Sequence, residues 1–219
     1  MKSRILTILY IVAIALLIIT FSIGLPIYVR PFYYAHIAPL DLVEDTGKTV
    51  EQIKEGYNEV LDYLTLPGRE FSAGDFAYSE EGKSHFEDCK VLFDLNAIAL
   101  LASAAVALTL WSLNKRRLIE LQQPWGFAPT AVAGTAVLAL FLVLAVLVAI
   151  DFDAAFTTFH TLFFPGKANW LFDPATDEII LALPETFFMN CAILIGASVI
   201  GISAFFAVRG YKKRKGRGA

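Results

Sequence analysis

The sequence predicts an all-α membrane protein, a four-transmembrane-helix bundle with a small extracellular helical cap. Hydrophobic residues fill 57% of its 219 positions, above the roughly 45–50% of a typical soluble domain. Mean hydropathy is +0.60. Four apolar runs, 5–28, 91–113, 127–150 and 187–208, each reach the roughly 20 residues that a helix needs to cross a hydrocarbon core about 30 Å thick. Barrel strands are excluded, because those alternate over only about ten residues. The chain, 1–219, reads as one membrane domain with two extracellular segments, about 30–90 and 151–186.

The first run begins like a signal peptide, with Lys2 and Arg4. Its apolar stretch is about twice the usual length, however, and no small-x-small cleavage site closes it. It continues into Gly24-Leu25-Pro26 and Arg30-Pro31, so it reads as a retained anchor. Orientation follows from the basic residues that flank the runs. The N-terminus, Lys115-Arg116-Arg117 and the tail from Arg209 to Arg217 hold 11 of the 18 Lys and Arg, whereas of the 21 Asp and Glu only Glu120 falls on that side. Both termini are therefore expected in the cytoplasm of a multi-pass cell-membrane protein. The tail Tyr211-Lys-Lys-Arg-Lys-Gly-Arg217 also suits anionic lipid headgroups, beyond its simpler role of orienting the last helix.

The first extracellular segment is too long for a simple turn. It opens on Arg30-Pro31-Phe32-Tyr33-Tyr34, a cluster suited to the membrane interface. Val50, Ile53, Tyr57, Val60, Leu61 and Leu64 then share one face of a helix whose other face carries Glu51, Lys54, Glu55, Glu59 and Asp62. Such a helix either packs on its own domain or lies on the bilayer beside an entrance for a lipidic substrate. Pro67-Gly68 ends it. After Ser79 a helix is expected to run straight into the second span, with Glu80 and Glu81 in its first turn, where the helix dipole favours acids. His85, Asp88 and Cys89 share a face of that helix, which places His85 at the outer membrane boundary. The second extracellular segment is aromatic: Phe152, Phe156, Phe159 and Phe163 have helical spacing beside His160. Pro165-Gly166 and Asp173-Pro174 then turn the chain toward the fourth span.

Histidine is the side chain whose ordinary pKa suits proton exchange near neutral pH. All three histidines, His36, His85 and His160, fall on the extracellular side, and His85 and His160 lie beside span ends at similar depth. They read either as a catalytic pair or as ordinary interfacial histidines. Metal ligation by His85, Asp88, His160 and Asp151 or Asp153 is another reading, but no HExxH or paired CxxC accompanies them. There is no GxSxG elbow and no phosphate-binding glycine loop. Cys89, one turn from His85, is a conceivable acyl-carrying nucleophile, and more simply a packing residue. A Cys89–Cys191 disulfide is admissible outside the cytoplasm but not expected. Beside an enzyme, the residues leave room for a non-catalytic four-span scaffold or sensor, or a metal-dependent lipid hydrolase.

Two stretches carry a resemblance. His85-Phe-Glu-Asp88-Cys-Lys-Val-Leu-Phe, together with Phe159-His160-x-x-Phe-Phe-x-x-x-x-x-Trp170-x-Phe-Asp173-Pro-x-x-Asp177, resembles a Gram-positive family of four-span lipoprotein intramolecular transacylases. The stretch Tyr57-Asn-Glu-Val-Leu-Asp-Tyr63-Leu and the order of spans are similar too, so the likeness covers nearly the whole chain. The first motif departs from the family pattern at Cys89, where an aliphatic residue is expected. The resemblance implies a reaction in which the sn-2 acyl chain of a diacylated bacterial lipoprotein moves to the α-amine of its N-terminal cysteine, leaving a lyso-form lipoprotein. Nucleophile and ester then belong to one substrate residue, which supplies much of the positioning advantage. With an amine pKa of roughly 8, a modest base suffices. His85 is expected as base and His160 as electrophilic partner, with Asp88, Asp94 or Asp173 in supporting positions and Phe156, Phe163 and Trp170 along the acyl chains. The resemblance implies diacylated lipoproteins and membrane lipid as partners, with no nucleic acid, no cofactor and no metal expected.

Overall fold

A computed structural model describes the backbone of residues 2–215 and the side chains of residues 3–210. The side chains of the basic tail 211–217 lie outside the described residues. Among the described residues four helices are long and apolar enough to cross a membrane. They are α1 (Arg4–Tyr28), α5 (Glu80–Lys115), α6 (Pro129–Ile150) and α9 (Glu185–Lys215). Between the first two lie α2 (Arg30–Tyr34), α3 (Leu42–Thr46) and α4 (Val50–Thr65). Between the last two lie α7 (Phe152–Phe163) and α8 (Ile179–Ala182). The four expected spans are all helical. The third helix opens at Pro129 rather than 127, because proline is preorganised for a first helical position and lacks the N–H that would be orphaned there.

The chain forms two compact units. The first comprises residues 1–24, 96–149 and 194–219. Its core joins Tyr10, Ile14 and Ile18 of α1 to Ala107 and Leu110 of α5, Ala133 and Val137 of α6, and Val199 of α9. Within a bilayer, contact between helices offers apolar side chains no hydrophobic gain over contact with lipid, so close packing through small residues holds such helices together. Gly134 shows this directly: a Cβ there would lie 2.7 Å from the Ser203 carbonyl oxygen and 2.9 Å from Phe206 Cβ. A short parallel pairing of Lys2–Ser3 with Glu120–Leu121, unforeseen from the sequence, fastens the start of α1 to the α5–α6 connection.

The second unit comprises residues 25–95 and 150–193. Its centre is α4. Thr49 and Gln52 cap its start reciprocally, satisfying two otherwise orphaned N–H groups. Ile53, Tyr57, Val60, Leu61 and Leu64 are buried in the unit's core, with Tyr57 stacked on Tyr33 at 3.7 Å. Of the two uses open to this amphipathic helix, packing on its own domain is the one observed. The Tyr33 hydroxyl donates to the Ala182 carbonyl at 2.8 Å, tying α2 to α8 through a buried bond.

The same unit fixes where α5 begins. Ser79 Oγ accepts from the Gly82 N–H at 2.9 Å, as an N-cap does. Asp177, buried on the opposite strand of chain, accepts from the Ser79 N–H at 2.8 Å, from Ser79 Oγ at 2.9 Å and from Thr176 Oγ1 at 2.9 Å. Gly82 must be glycine for this, since a Cβ would lie 2.1 Å from Asp177 Oδ1. Replacing Asp177 by alanine leaves the half-buried Ser79 donors without their acceptor, and hydrogen bonds to a charged acceptor contribute about 1.5–3 kcal/mol each. We expect Asp177→Ala to lose about 3 kcal/mol of stability, read as a lower melting temperature in detergent.

Candidate active site

His85 and His160 arrive on separate helices. α5 spans 36 residues, more than the roughly 20 needed for a crossing. Its charged first turns, 80–90, therefore precede the apolar stretch 91–113. His85 sits in those first turns. α7 begins at Asp151, whose carboxylate accepts from the Ala154 N–H at 2.9 Å, so this acid serves as a cap. About two and a half turns later α7 presents His160.

The two imidazoles face one another with ring centroids 5.8 Å apart. Both are buried, at 6% and 8% exposure. Phe164 meets His85 edge-on at 4.9 Å, and Phe172 lies at 5.5 Å. Trp170 stacks on His160 at 4.6 Å, with Phe156 at 4.2 Å on its other contacts. Aromatic walls exclude water and so strengthen electrostatic interactions inside. Burial, reinforced by the neighbouring His160, lowers the His85 pKa to about 4, with Asp88 opposing. Burial also lowers that of His160, partly offset by its bond to the Phe156 carbonyl. Both rings are thus neutral at physiological pH.

Their free nitrogens differ. His160 Nδ1 lies 2.8 Å from the Phe156 carbonyl oxygen. A carbonyl only accepts, so Nδ1 carries the proton and Nε2 keeps its lone pair. His85 Nε2 lies 3.3 Å from Cys89 Sγ. Burial, together with the charge of Asp88, pushes the Cys89 thiol up to about 12, so it stays an S–H group and can donate to Nε2. In that tautomer His85 Nδ1 holds the proton, and this buried atom has no hydrogen-bond partner among the described residues. One ring offers a lone pair and the other an N–H.

The remaining expected residues divide. Asp88 does not hydrogen-bond His85; its oxygens bind Lys167 Nζ at 2.5 Å and Asn169 Nδ2 at 3.0 Å. Asp94 is exposed on α5, nine residues and about 14 Å along the axis from His85. Asp173 accepts from the Ala175 N–H at 2.9 Å and makes the turn before α8. Phe156 and Trp170 touch His160, whereas Phe163 is 47% exposed and packs on Phe159. His36 packs against Phe32 and Phe187 instead of joining the pair. Cys89 and Cys191 are both free thiols. Among the described residues no three His, Cys, Asp or Glu side chains gather as a metal site would require. Sequence reasoning named Phe164 and Phe172 only as residues of the motif and passed over Lys167 and Asn169, although all four lie inside the stretch 159–177 that carried the resemblance.

The model of the family described as Lipoprotein intramolecular transacylase Lit matches residues 8–188. The chain belongs to this transacylase family. Among solved structures it is similar to the membrane-integral lipoprotein intramolecular transacylase Lit from Bacillus cereus. The two share 25% identity over 99% of this chain and 98% of that one, with a TM-score of 0.86. Two further structures of the Bacillus cereus protein, with a histidine mutated to Arg or to Ala, match at 24% and 25% identity. They cover 99% of this chain and 94% and 96% of those chains, with TM-scores of 0.78 and 0.79. No curated protein matches by sequence. This transacylase is a multi-pass membrane acyltransferase that acts on lipoproteins, and the scaffold and hydrolase readings are not favoured. A high Cys89 pKa leaves little thiolate to attack an ester. Cys89→Ala is therefore expected to keep transfer within about threefold, a modest effect from losing one weak S–H bond to His85. Acyl groups trapped on Cys89 in the native protein, found by mass spectrometry, would contradict this.

Proposed function

We propose that the protein moves the sn-2 acyl chain of a diacylglyceryl lipoprotein onto the α-amine of the same molecule's N-terminal cysteine, on the extracellular face of the membrane. The excess of Lys and Arg on alternate connections supports a cytoplasmic position for both termini. The observation that carries the chemistry is the buried pair of imidazoles 5.8 Å apart, with His160 Nδ1 on the Phe156 carbonyl and His85 Nδ1 without a hydrogen-bond partner among the described residues.

We assign His160 as the base and His85 as the electrophilic partner, opposite to the order expected from the sequence; the His160 Nδ1 bond to the Phe156 carbonyl and a Cys89 S–H bond to His85 Nε2 support this order. The amine nitrogen attacks the sn-2 ester carbonyl while His160 Nε2 accepts an amine proton. His85 Nδ1–H donates to the oxygen that becomes the oxyanion. As the tetrahedral intermediate collapses, the carbon–oxygen bond to glycerol breaks and His160 returns its proton to the departing glyceryl oxygen. An ester and an amine become an amide and an alcohol, with no water consumed and no acyl group resting on the protein.

The test is mass spectrometry of a lipoprotein N-terminal peptide from a host without other N-acylating enzymes. With the protein present, fragmentation should place one acyl chain on the amine and leave a lyso-glyceryl group, the total mass of the peptide being unchanged. A free-amine diacylglyceryl peptide in the presence of membrane-inserted protein would reject the proposal.

A further inference from the structure

Asn169 has one half of its amide engaged and the other idle. Its Nδ2 donates to Asp88 Oδ2 at 3.0 Å and to Ser84 Oγ at 3.4 Å. A carboxylate only accepts, so the bond to Asp88 fixes which way the amide faces. Oδ1 on the other side is buried and has no hydrogen-bond partner among the described residues. Leaving a buried acceptor unmatched is costly, and a native fold that does so needs a reason. The position of the residue suggests one. Asn169 is bonded to the turn of α5 that flanks His85, and its chain neighbour Trp170 stacks on His160 at 4.6 Å.

We propose that Asn169 Oδ1 accepts a hydrogen bond from an N–H of the substrate's α-amine and so aims the amine lone pair at the ester carbonyl. This assignment rests on the transacylase reading above and adds an amine-recognition site to it. A neutral amine has two N–H groups. One proton leaves to His160 as the nitrogen–carbon bond forms, and the second, by then an amide N–H, keeps Asn169 as its acceptor. The site thereby selects for a nitrogen donor at the cysteine α-position, since a carbon there would leave Oδ1 unmatched.

Two competitors test this in reconstituted full-length protein. Both are diether diacylglyceryl-cysteinyl dipeptides, which cannot transfer a chain; one has the α-amine and the other a desamino carbon. The wild-type protein should bind the amine form about tenfold more tightly, the scale set by one buried acceptor left unmatched. Asn169→Ala should bind both equally, while Ser84→Ala, which removes a different contact of the same amide, should keep the preference. If Asn169→Ala folds poorly, Asn169→Ser serves in its place with the same expectation. A tenfold preference surviving in the Asn169 variant, its absence in wild type, or its equal loss in Ser84→Ala would each overturn the assignment. Failure of the wild type to transfer a chain on the ester substrate would instead overturn the transacylase reading beneath it.

Discussion

Replacing His160 by asparagine is expected to slow acyl transfer by about 10²–10⁴-fold, the usual contribution of a positioned general base. Asparagine can still donate to the Phe156 carbonyl, which His160 does at 2.8 Å, so the side chain keeps its anchor and loses only the basic nitrogen. The pH profile makes the test specific. Burial holds the His160 pKa below its usual 6.5, so protonation disables this base only on the acid side of that value. The substrate amine, with a pKa of roughly 8, must also be free to attack. Wild-type kcat/KM should therefore climb through the amine's titration, with a further acid limb below pH 6.5 from the histidine. In His160→Asn the histidine limb should vanish while the amine limb stays. An unchanged profile would remove His160 from the proton pathway.

His85→Ala carries the second large effect. If Nδ1–H stabilises the oxyanion, its removal should lower kcat by about 10²–10³-fold, as loss of one such donor does elsewhere, with KM nearly unchanged. The His160 acid limb should survive in this variant. That outcome separates the two possible role orders, because a His85 acting as base would take the limb with it. The double variant should be little worse than the poorer single one, since groups that act as a unit are strongly non-additive. Additive losses would argue for independent contributions and against a shared transition state.

The spans were legible because a bilayer imposes one crude demand, length of apolar sequence, and 5–28, 91–113, 127–150 and 187–208 meet it. The continuous entry of α5 was legible too, from Glu80 and Glu81 in the first turn and the apolar face that follows. The pairing of His85 with His160 could be suspected from their similar depth. Which nitrogen each ring leaves free could not, because that depends on a rotamer that brings Nδ1 to a carbonyl four residues back. Asp88 misled for a related reason. One turn from His85 it looks like an orienting carboxylate, yet Lys167 and Asn169, some 80 residues on, claim its oxygens. Long-range partners of this kind leave no periodic trace, and Asp177 at the start of α5 is another.

The bond between Ser79 and Asp177 joins residues 98 positions apart. A ribosome has released Ser79 and inserted the helix behind it well before Asp177 is made, and at about 5–20 residues per second that interval lasts several seconds. For most of it His85 is already in the chain, while α7 and His160 have yet to be made. The nascent protein therefore passes through a stage in which His85 has no second imidazole to face. The pair is complete, and the start of α5 secured, only once the final third of the polypeptide has been made.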